Sequence, residues 1–138
     1  MRKLEGKVAA ITGGNSGLGL AIAKRFRAEG ASVAIMGRNS ETLESAVTEI
    51  GDGTVSSKGD VQTLSDLDEF FGKISEHFGS LDIVVANAGG GKVGPVDQVD
   101  EATFDEMTDT NWKGAFFTIQ KALTLMDEGG SKIGRAHV

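Results

Sequence analysis

The chain has 138 residues, of which 39% are hydrophobic and 25% are charged, and it has a formal net charge of −6. These values are those of one soluble globular domain, and the acidic balance argues against a nucleic-acid-binding protein. The sequence has no cysteine, which excludes disulfides and thiolate metal sites, and it has no apolar run near the roughly 20 residues of a membrane helix. Residues 1–6 also lack the apolar core of a signal peptide, so we expect a cytoplasmic protein with no metal, membrane or nucleic-acid site.

Strands and helices are predicted to alternate along the chain. Short continuous apolar runs are typical of strands that are buried on both faces of a parallel sheet. Longer segments with apolar residues at three- and four-residue steps are typical of amphipathic helices, and glycines end several of them. The predicted strands cover residues 8–12, 32–36, 54–58 and 81–86, and the predicted helices cover residues 18–29, 40–50, 64–78 and 101–126.

This alternation predicts an α/β fold: a Rossmann-type doubly wound parallel sheet with helices on both faces. We expect the strand order 3-2-1-4, with the more polar third strand at an edge. We also expect the sheet to be truncated after the fourth strand and the long helix that follows. The apolar fourth strand would then form the other edge.

A glycine-rich turn, TGGNSGLG at residues 12–19, joins the first strand to the first helix. Gly13 suits a tight turn, Gly17 allows a close approach to a pyrophosphate, and Gly19 allows the helix to pack closely on the sheet. Such a turn points backbone N–H groups and the positive end of a helix dipole at one place, which favours phosphate binding. A P-loop is excluded because no Lys-Ser or Lys-Thr pair follows Gly19, whereas a plain glycine-rich loop and a methyltransferase loop remain alternatives.

Three further segments follow in order: Asp60-Val61 after the third strand, Asn87-Ala88-Gly89 after the fourth, and Asn111 within the predicted long helix. Together with the glycine turn, they resemble the short-chain dehydrogenase/reductase family from residue 4 to about residue 132. This resemblance implies an oxidoreductase that transfers hydride between a nicotinamide cofactor and an alcohol or carbonyl compound. The segment 87–89 counts against the methyltransferase alternative.

The resemblance also assigns roles to individual residues. The glycine turn would hold the cofactor pyrophosphate, the segment 60–61 the adenine, and the segment 87–89 the nicotinamide side. Asn111 would bend its helix and hold a water that connects a catalytic lysine to solvent. The cofactor-binding positions are Gly13, Asn15, Ser16, Gly17, Leu18, Gly19, Arg38, Asp60, Val61, Asn87, Ala88 and Gly89, and the catalytic position is Asn111.

Simpler explanations exist for some of these residues. Asn15 and Ser16 are also common turn residues, and Asp60 could cap the helix that follows it. Asn111 could be an ordinary exposed helix residue.

The end of the second strand bears on the choice of cofactor. A carboxylate there would bind the ribose 2′-hydroxyl of NAD and repel a 2′-phosphate, but the sequence has Gly37 followed by Arg38. Because the arginine side chain presents a planar fork that suits phosphate, we predict a preference for NADP(H), with NAD(H) possible. The alternative is that Arg38 is only a solvated turn residue.

The sequence contains no tyrosine. In the family that it resembles, a tyrosine is the general acid/base, and it works with a lysine and a serine. We therefore expect residues 1–132 to be the dinucleotide-binding part of such a domain, inactive alone, from a parent homodimer or homotetramer that acts on a small-molecule alcohol or carbonyl. The alternative is a non-catalytic dinucleotide-binding or sensing module.

Residues 133–138, IGRAHV, break the pattern that the resemblance leads us to expect. One reading frame of a widely used sequencing-library adapter encodes this hexapeptide. We therefore predict that this hexapeptide is a non-native read-through tail.

Overall fold

The sheet is parallel throughout and has five strands in the order β3-β2-β1-β4-β5. The computed structural model describes residues 2–89 and 95–134. The strands are β1 (Val8–Thr12), β2 (Ser32–Gly37), β3 (Val55–Lys58), β4 (Leu81–Ala86) and β5 (Met126–Gly134). The helices are α1 (Gly17–Ala28), α2 (Ser40–Ile50), α3 (Leu64–Phe78), α4 (Glu101–Thr108) and α5 (Gly114–Leu123), with a 3₁₀ turn at Val96–Gln98 and a π-helical turn at Asp109–Lys113.

The strand order places a topological switch point between β1 and β4. From β1 the chain winds outward through β2 to β3, then returns to the other side of β1 to form β4. The crossover connections therefore diverge at this point and leave a crevice at the carboxyl ends of the strands, where ligands bind in open α/β sheets. The predicted doubly wound Rossmann-type sheet, and the edge position of β3, are confirmed.

Helices cover both faces of the sheet, and each face has its own apolar core. Strand residues alternate between the two cores, as a pleated strand requires: Ala10 and Val84 face one side, and Ile11 and Val85 face the other. The first core includes Phe70 and other side chains of α3 and α5, and the second includes side chains of α1 and α2. Among the described residues, no helix is long and apolar enough to cross a membrane.

The fifth strand corrects the prediction that the sheet would end at β4. Helix α5 ends at Leu123 instead of continuing to residue 126, and Met126 begins β5. In β5, Ser131 lies opposite Ile83 and Ile133 opposite Val85, after an irregularity between Leu81 and Ile83. The expectation that β4 would form the sheet edge was therefore wrong.

A propensity argument explains the error. Residues 129–132, GGSK, are poor strand formers, so the local sequence favours a loop. In the fold, the backbone of β4 offers hydrogen-bonding groups along its whole free side, and pairing overrides the local preference. Residues 135–138 lie outside the described residues, so the assignment of residues 133–138 to a non-native tail stays a prediction.

The predicted long helix is interrupted by the π-helical turn, which has Asn111 at its centre. A π-helical turn holds one residue more than an α-helical turn, and such insertions occur often at functional sites. The side-chain Nε2 of Gln62 donates a 2.6 Å hydrogen bond to Thr110 Oγ1, which ties this turn to the loop between β3 and α3.

The hydroxyl of Thr12, at the end of β1, holds the end of β4 at the switch point. Thr12 is 1% exposed, and its Oγ1 accepts hydrogen bonds from the backbone N–H groups of Asn87 (3.1 Å) and Ala88 (3.0 Å). It also lies 3.5 Å from the carbonyl oxygen of Val85, to which it donates. One buried hydroxyl thus fixes the segment that leaves β4 toward the crevice.

We predict that Thr12→Val lowers the free energy of unfolding by about 1–3 kcal/mol, because the Ala88 N–H loses its acceptor inside the protein. Valine has nearly the shape of threonine, so packing changes little. Urea unfolding followed by circular dichroism measures the change. Thr12→Ser keeps the hydroxyl and is the matched control; equal losses in both variants would contradict the role of the hydroxyl.

We predict that deletion of residues 130–138 lowers the free energy of unfolding by about 2–4 kcal/mol, because the ladder along Ile83–Ala86 is lost at a net ~0.5–1.5 kcal/mol per hydrogen bond. The apolar edge so exposed should also promote aggregation, which light scattering detects. Deletion of residues 135–138 alone leaves β5 whole and is the control. If the two deletion variants unfold at the same urea concentration, the pairing of β5 does not stabilise the fold.

Candidate nucleotide-binding site

A cavity of about 880 Å³ lies at the carboxyl ends of β1 to β4. This volume falls in the range of small-molecule and cofactor sites. Four strand ends and the helical segment after β4 contribute to its walls. The lining residues are Gly13, Asn15, Ser16, Gly17, Leu18, Met36, Gly37, Arg38, Asn39, Thr42, Gly59, Asp60, Val61, Asn87, Ala88, Gly89, Glu106, Met107 and Thr110.

The glycine turn forms one wall of the cavity, and its backbone has little tolerance for side chains. Gly13 and Gly17 have φ angles of +68° and +55°, which favour glycine. A Cβ on Gly13 would also lie 3.0 Å from the Cα of Ala88. Gly19 does not line the cavity; a Cβ there would collide with the carbonyl oxygen of Gly13. The absence of a side chain at Gly19 therefore allows α1 to pack directly against the turn.

The first turn of α1 is open to an anion. Ser16 is the N-cap residue, and within the described ranges its side chain makes no capping hydrogen bond. The first turn of α1 contains no acidic residue, and Leu18 is 48% exposed. Backbone N–H groups of this turn and the positive end of the helix dipole are therefore available to a diphosphate, so the turn fits a dinucleotide cofactor.

Asn15 has a protein partner within the cavity wall. Its Nδ2 donates a 2.8 Å hydrogen bond to Thr42 Oγ1, in the first turn of α2. The sequence analysis included Asn15 among the cofactor-binding positions and did not identify Thr42. The signal that could have located Thr42 is its position in the first turn of a helix whose N-terminus follows β2.

The loop after β2 places Gly37, Arg38 and Asn39 along the cavity. Asn39 is the N-cap of α2, since its Oδ1 accepts hydrogen bonds from the N–H groups of Glu41 (2.9 Å) and Thr42 (3.0 Å). Arg38 is exposed beside this cap. The strand end itself therefore has Gly37 and no carboxylate, and the next residue is an arginine that lines the cavity.

Asp60 and Val61 lie where β3 leads into α3. The Oδ1 of Asp60 accepts a 2.9 Å hydrogen bond from the N–H of Gln62, so this carboxylate stabilises the turn before α3, whose N-cap is Thr63. Val61 is 6% exposed and packs against Gly114. A Cβ on Gly114 would lie 2.6 Å from Cγ2 of Val61. Asp60 thus combines a structural role in the turn with a position on the cavity wall.

The segment after β4 faces the glycine turn. Asn87 is 6% exposed, and its Nδ2 donates a 3.3 Å hydrogen bond to the carbonyl oxygen of Gly13. Ala88 is half-buried and Gly89 is exposed, and both line the cavity. Residues 90–94 of the loop that follows lie outside the described residues. The side chain of Asn87 therefore joins the two crossovers that meet at the switch point.

Asn111 is half-buried and does not line the cavity, whereas Glu106, Met107 and Thr110 of the same helical segment do. Sequence reasoning missed these three residues. Met107 and Glu106 lie three and four residues before Thr110, and this spacing places all three on one helix face. That spacing is the sequence signal that could have located them.

Comparison with known proteins agrees with this geometry. The family model described as "short chain dehydrogenase" matches residues 7–135. An oxidoreductase of Sarocladium schorii, asL5, is 45% identical over 130 residues, which are 94% of this chain and 52% of that protein. The chain therefore spans about half the length of the curated relatives that it matches.

Two solved structures are similar in backbone and sequence. A short chain dehydrogenase from Burkholderia cenocepacia J2315 in complex with NADP has a TM-score of 0.90 and 32% identity, over 96% of this chain and 56% of that one. A 3-ketoacyl-(acyl-carrier-protein) reductase from Brucella melitensis complexed with NADH has a TM-score of 0.84 and 34% identity, over 89% of this chain and 51% of that one. With the glycine turn, the switch-point cavity and the family match in agreement, this chain belongs to the short-chain dehydrogenase/reductase family of oxidoreductases.

Proposed function

We propose that the chain is the cofactor-binding part of an NADP(H)-dependent oxidoreductase, whose full-length form interconverts an alcohol and a carbonyl compound in the cytoplasm. The observation that carries the proposal is the joint presence, on one cavity, of the open first turn of α1 and of Arg38 beside a strand-end glycine. The first feature suits the diphosphate, and the second suits an additional phosphate.

The cavity has a partner for each part of the cofactor. The glycine turn, with Gly13, Ser16, Gly17 and the Leu18 N–H, would hold the diphosphate, and Gly19 would keep α1 close behind it. Arg38 and Asn15 would meet the adenosine ribose and its phosphate. Asp60 and Val61 would meet the adenine, and Asn87, Ala88 and Gly89 would line the nicotinamide side. The bound cofactor supplies or accepts the hydride.

The preference for NADP(H) rests on charge at the end of β2. Relatives of known structure carry either cofactor: the Burkholderia structure contains NADP and the Brucella structure contains NADH. In this chain Gly37 offers no carboxylate to the ribose, and the Arg38 guanidinium offers a planar set of donors to a 2′-phosphate. NAD(H) would bind at the same site with lower affinity.

The hydride step needs a general acid/base on the substrate oxygen, and this chain has no tyrosine to fill that role. We propose that the catalytic tyrosine and lysine belong to the remainder of the full-length parent and that this chain alone is inactive. The role proposed for Asn111 is to hold the water that links that lysine to solvent. The π-helical turn around Asn111 supports this role, because such turns occur often at functional sites.

We also propose that the full-length parent is a homodimer or homotetramer. Three large aromatic side chains on the α4–α5 segment are exposed: Phe104 (62%), Trp112 (77%) and Phe116 (61%). Aromatic side chains are enriched at protein–protein contact surfaces, so these exposures support a subunit interface on this segment.

For cofactor choice, we predict that Arg38→Gln raises the Kd for NADPH about 10–100-fold, because hydrogen bonds to a charged phosphate are worth about 1.5–3 kcal/mol. The Kd for NADH should change little, since NADH lacks the 2′-phosphate. Isothermal titration calorimetry measures both constants. Arg2→Gln is the matched control because Arg2 pairs with Glu5 and does not line the cavity. Parallel loss of NADPH and NADH affinity in Arg38→Gln would contradict the proposed phosphate contact.

For catalysis, we predict that the chain binds NADPH but does not oxidise it in the presence of carbonyl compounds, because no residue replaces the general acid/base. Absorbance at the nicotinamide band follows the reaction, with a set of small aldehydes and ketones as substrates. The Brucella reductase with its own substrate is the positive control. NADPH oxidation that depends on the carbonyl compound and on this chain would refute the proposed incompleteness.

A further inference from the structure

Gln62 holds two polar groups of the cavity wall at once. Its backbone N–H donates a 2.9 Å hydrogen bond to Oδ1 of Asp60, and its side-chain Nε2 donates a 2.6 Å hydrogen bond to Oγ1 of Thr110. Asp60 and Thr110 both line the cavity, whereas Gln62 does not. A carboxylate from the loop after β3 and a hydroxyl from the π-helical turn are therefore held by one residue outside the lining.

The loop that carries Asp60 is anchored on both sides. The N–H of Asp60 donates to Oδ2 of Asp66 at 2.9 Å, and its carbonyl oxygen accepts a 2.9 Å hydrogen bond from the N–H of Thr63. The next residue, Val61, is buried and packs against Gly114, directly after the π-helical turn. The loop and the turn are therefore held in a fixed relation to each other.

The Thr110 hydroxyl is bonded differently from two threonine hydroxyls near it in the chain. Thr108 and Thr118 each donate their hydroxyl proton to the carbonyl oxygen four residues earlier, at 2.9 Å and 2.6 Å. Thr110 Oγ1 instead accepts from Gln62, and within the described residues no carbonyl oxygen of its own helical segment accepts its proton. Because a threonine hydroxyl has one proton besides its lone pairs, the Thr110 proton is available to an acceptor in the cavity.

The Asp60 carboxylate and the Thr110 hydroxyl offer a ligand an acceptor and a donor. Gln62 takes Oδ1 of Asp60, which leaves Oδ2 as the acceptor, and it takes a lone pair of Thr110, which leaves the proton as the donor. Adenine has the complementary edge, with its amino group as a donor and the ring nitrogen N1 beside it as an acceptor. Hypoxanthine reverses both, because an oxygen replaces the amino group and N1 carries a proton.

We propose that Thr110 is a specificity-determining residue that donates to N1 of adenine, and that Gln62 is the positioning residue that turns its proton toward the cavity. This inference rests on the proposed function, which places the adenine beside Asp60 and Val61. The carboxylate then accepts from the amino group while the hydroxyl donates to N1. Base recognition therefore uses one group from the loop after β3 and one from the π-helical turn.

Isothermal titration calorimetry with NADPH and with its hypoxanthine analogue tests the inference. The two ligands carry the same charges, so the ratio of their Kd values isolates recognition of the base. The unaltered chain should bind NADPH at least about tenfold more tightly than the analogue. Thr110→Val should raise the Kd for NADPH about 3–10-fold, as expected for one lost hydrogen bond. Thr110→Ser keeps the hydroxyl, and Thr108→Val lies outside the cavity lining; both controls should bind as the unaltered chain does.

Gln62→Glu separates the direction of the hydrogen bond from its structural effect. Glutamate has nearly the shape of glutamine, but its carboxylate only accepts, so the Thr110 hydroxyl must donate to it and its proton turns away from the cavity. The ratio of the two Kd values should then fall about threefold or more, although the side-chain contact persists. A residue that only held the π-helical turn in place would leave the ratio unchanged.

Gln62→Leu removes the side-chain hydrogen bond while the backbone bond to Asp60 stays. Alone it should raise the Kd for NADPH, but in the Thr110→Val background it should add less than about twofold, because the two residues act through one contact. Thermal melting shows which variants are folded. If Thr110→Val does not fold, the two Gln62 variants decide the question.

The outcomes distinguish this inference from the proposed function. Failure of the unaltered chain to bind NADPH would defeat the proposed function. If the chain binds NADPH, the inference is overturned by equal Kd values for NADPH and its hypoxanthine analogue. It is also overturned if folded Thr110→Val binds NADPH as tightly as the unaltered chain, or if Gln62→Glu keeps the unaltered ratio.

Discussion

The parallel pairing of β1 with both β2 and β4 is the constraint on which the site depends. Because β1 has a neighbour on each side, the crossovers after β1 and after β4 leave in different directions and open a crevice between them. Inside that crevice the Thr12 hydroxyl and the Asn87 amide join the two crossovers through buried and partly buried hydrogen bonds. The glycine turn therefore faces a cavity wall that these individual hydrogen bonds hold in place.

Most of the sheet and its helices could be predicted because each element has a strong local pattern. The bounds of β1, β4 and α3 agree with the sequence prediction, since continuous apolar runs and a regular three- and four-residue spacing identify them. β5 could not be predicted, because residues such as Gly130 and Ser131 favour a loop and pair only in response to the free side of β4. The strand exists through a long-range interaction that no local pattern records.

In the candidate site, too, some features could be predicted from the sequence and others could not. The predicted positions at the four strand ends line one cavity, apart from Gly19 behind the glycine turn and Asn111 in the helical segment. What sequence patterns did not contain are the partners within the wall, such as Thr42 under Asn15 and Thr110 beside Gln62. Those contacts join residues that are 27 and 48 positions apart, so they depend on how the crossovers pack.

The π-helical turn at Asp109–Lys113 has a consequence for how this segment can vary. Its additional residue offsets the rotational phase of α5 relative to α4 by about 100°, the angle of one residue in a helix. In that phase Thr118 and Ala122 are fully buried while Phe116 faces outward. Loss of a single residue from the turn would restore an even spiral but swing the buried pair toward water. The length of the chain at this point is therefore constrained as well as its chemistry: a substitution keeps the helical phase, whereas an insertion or a deletion changes it.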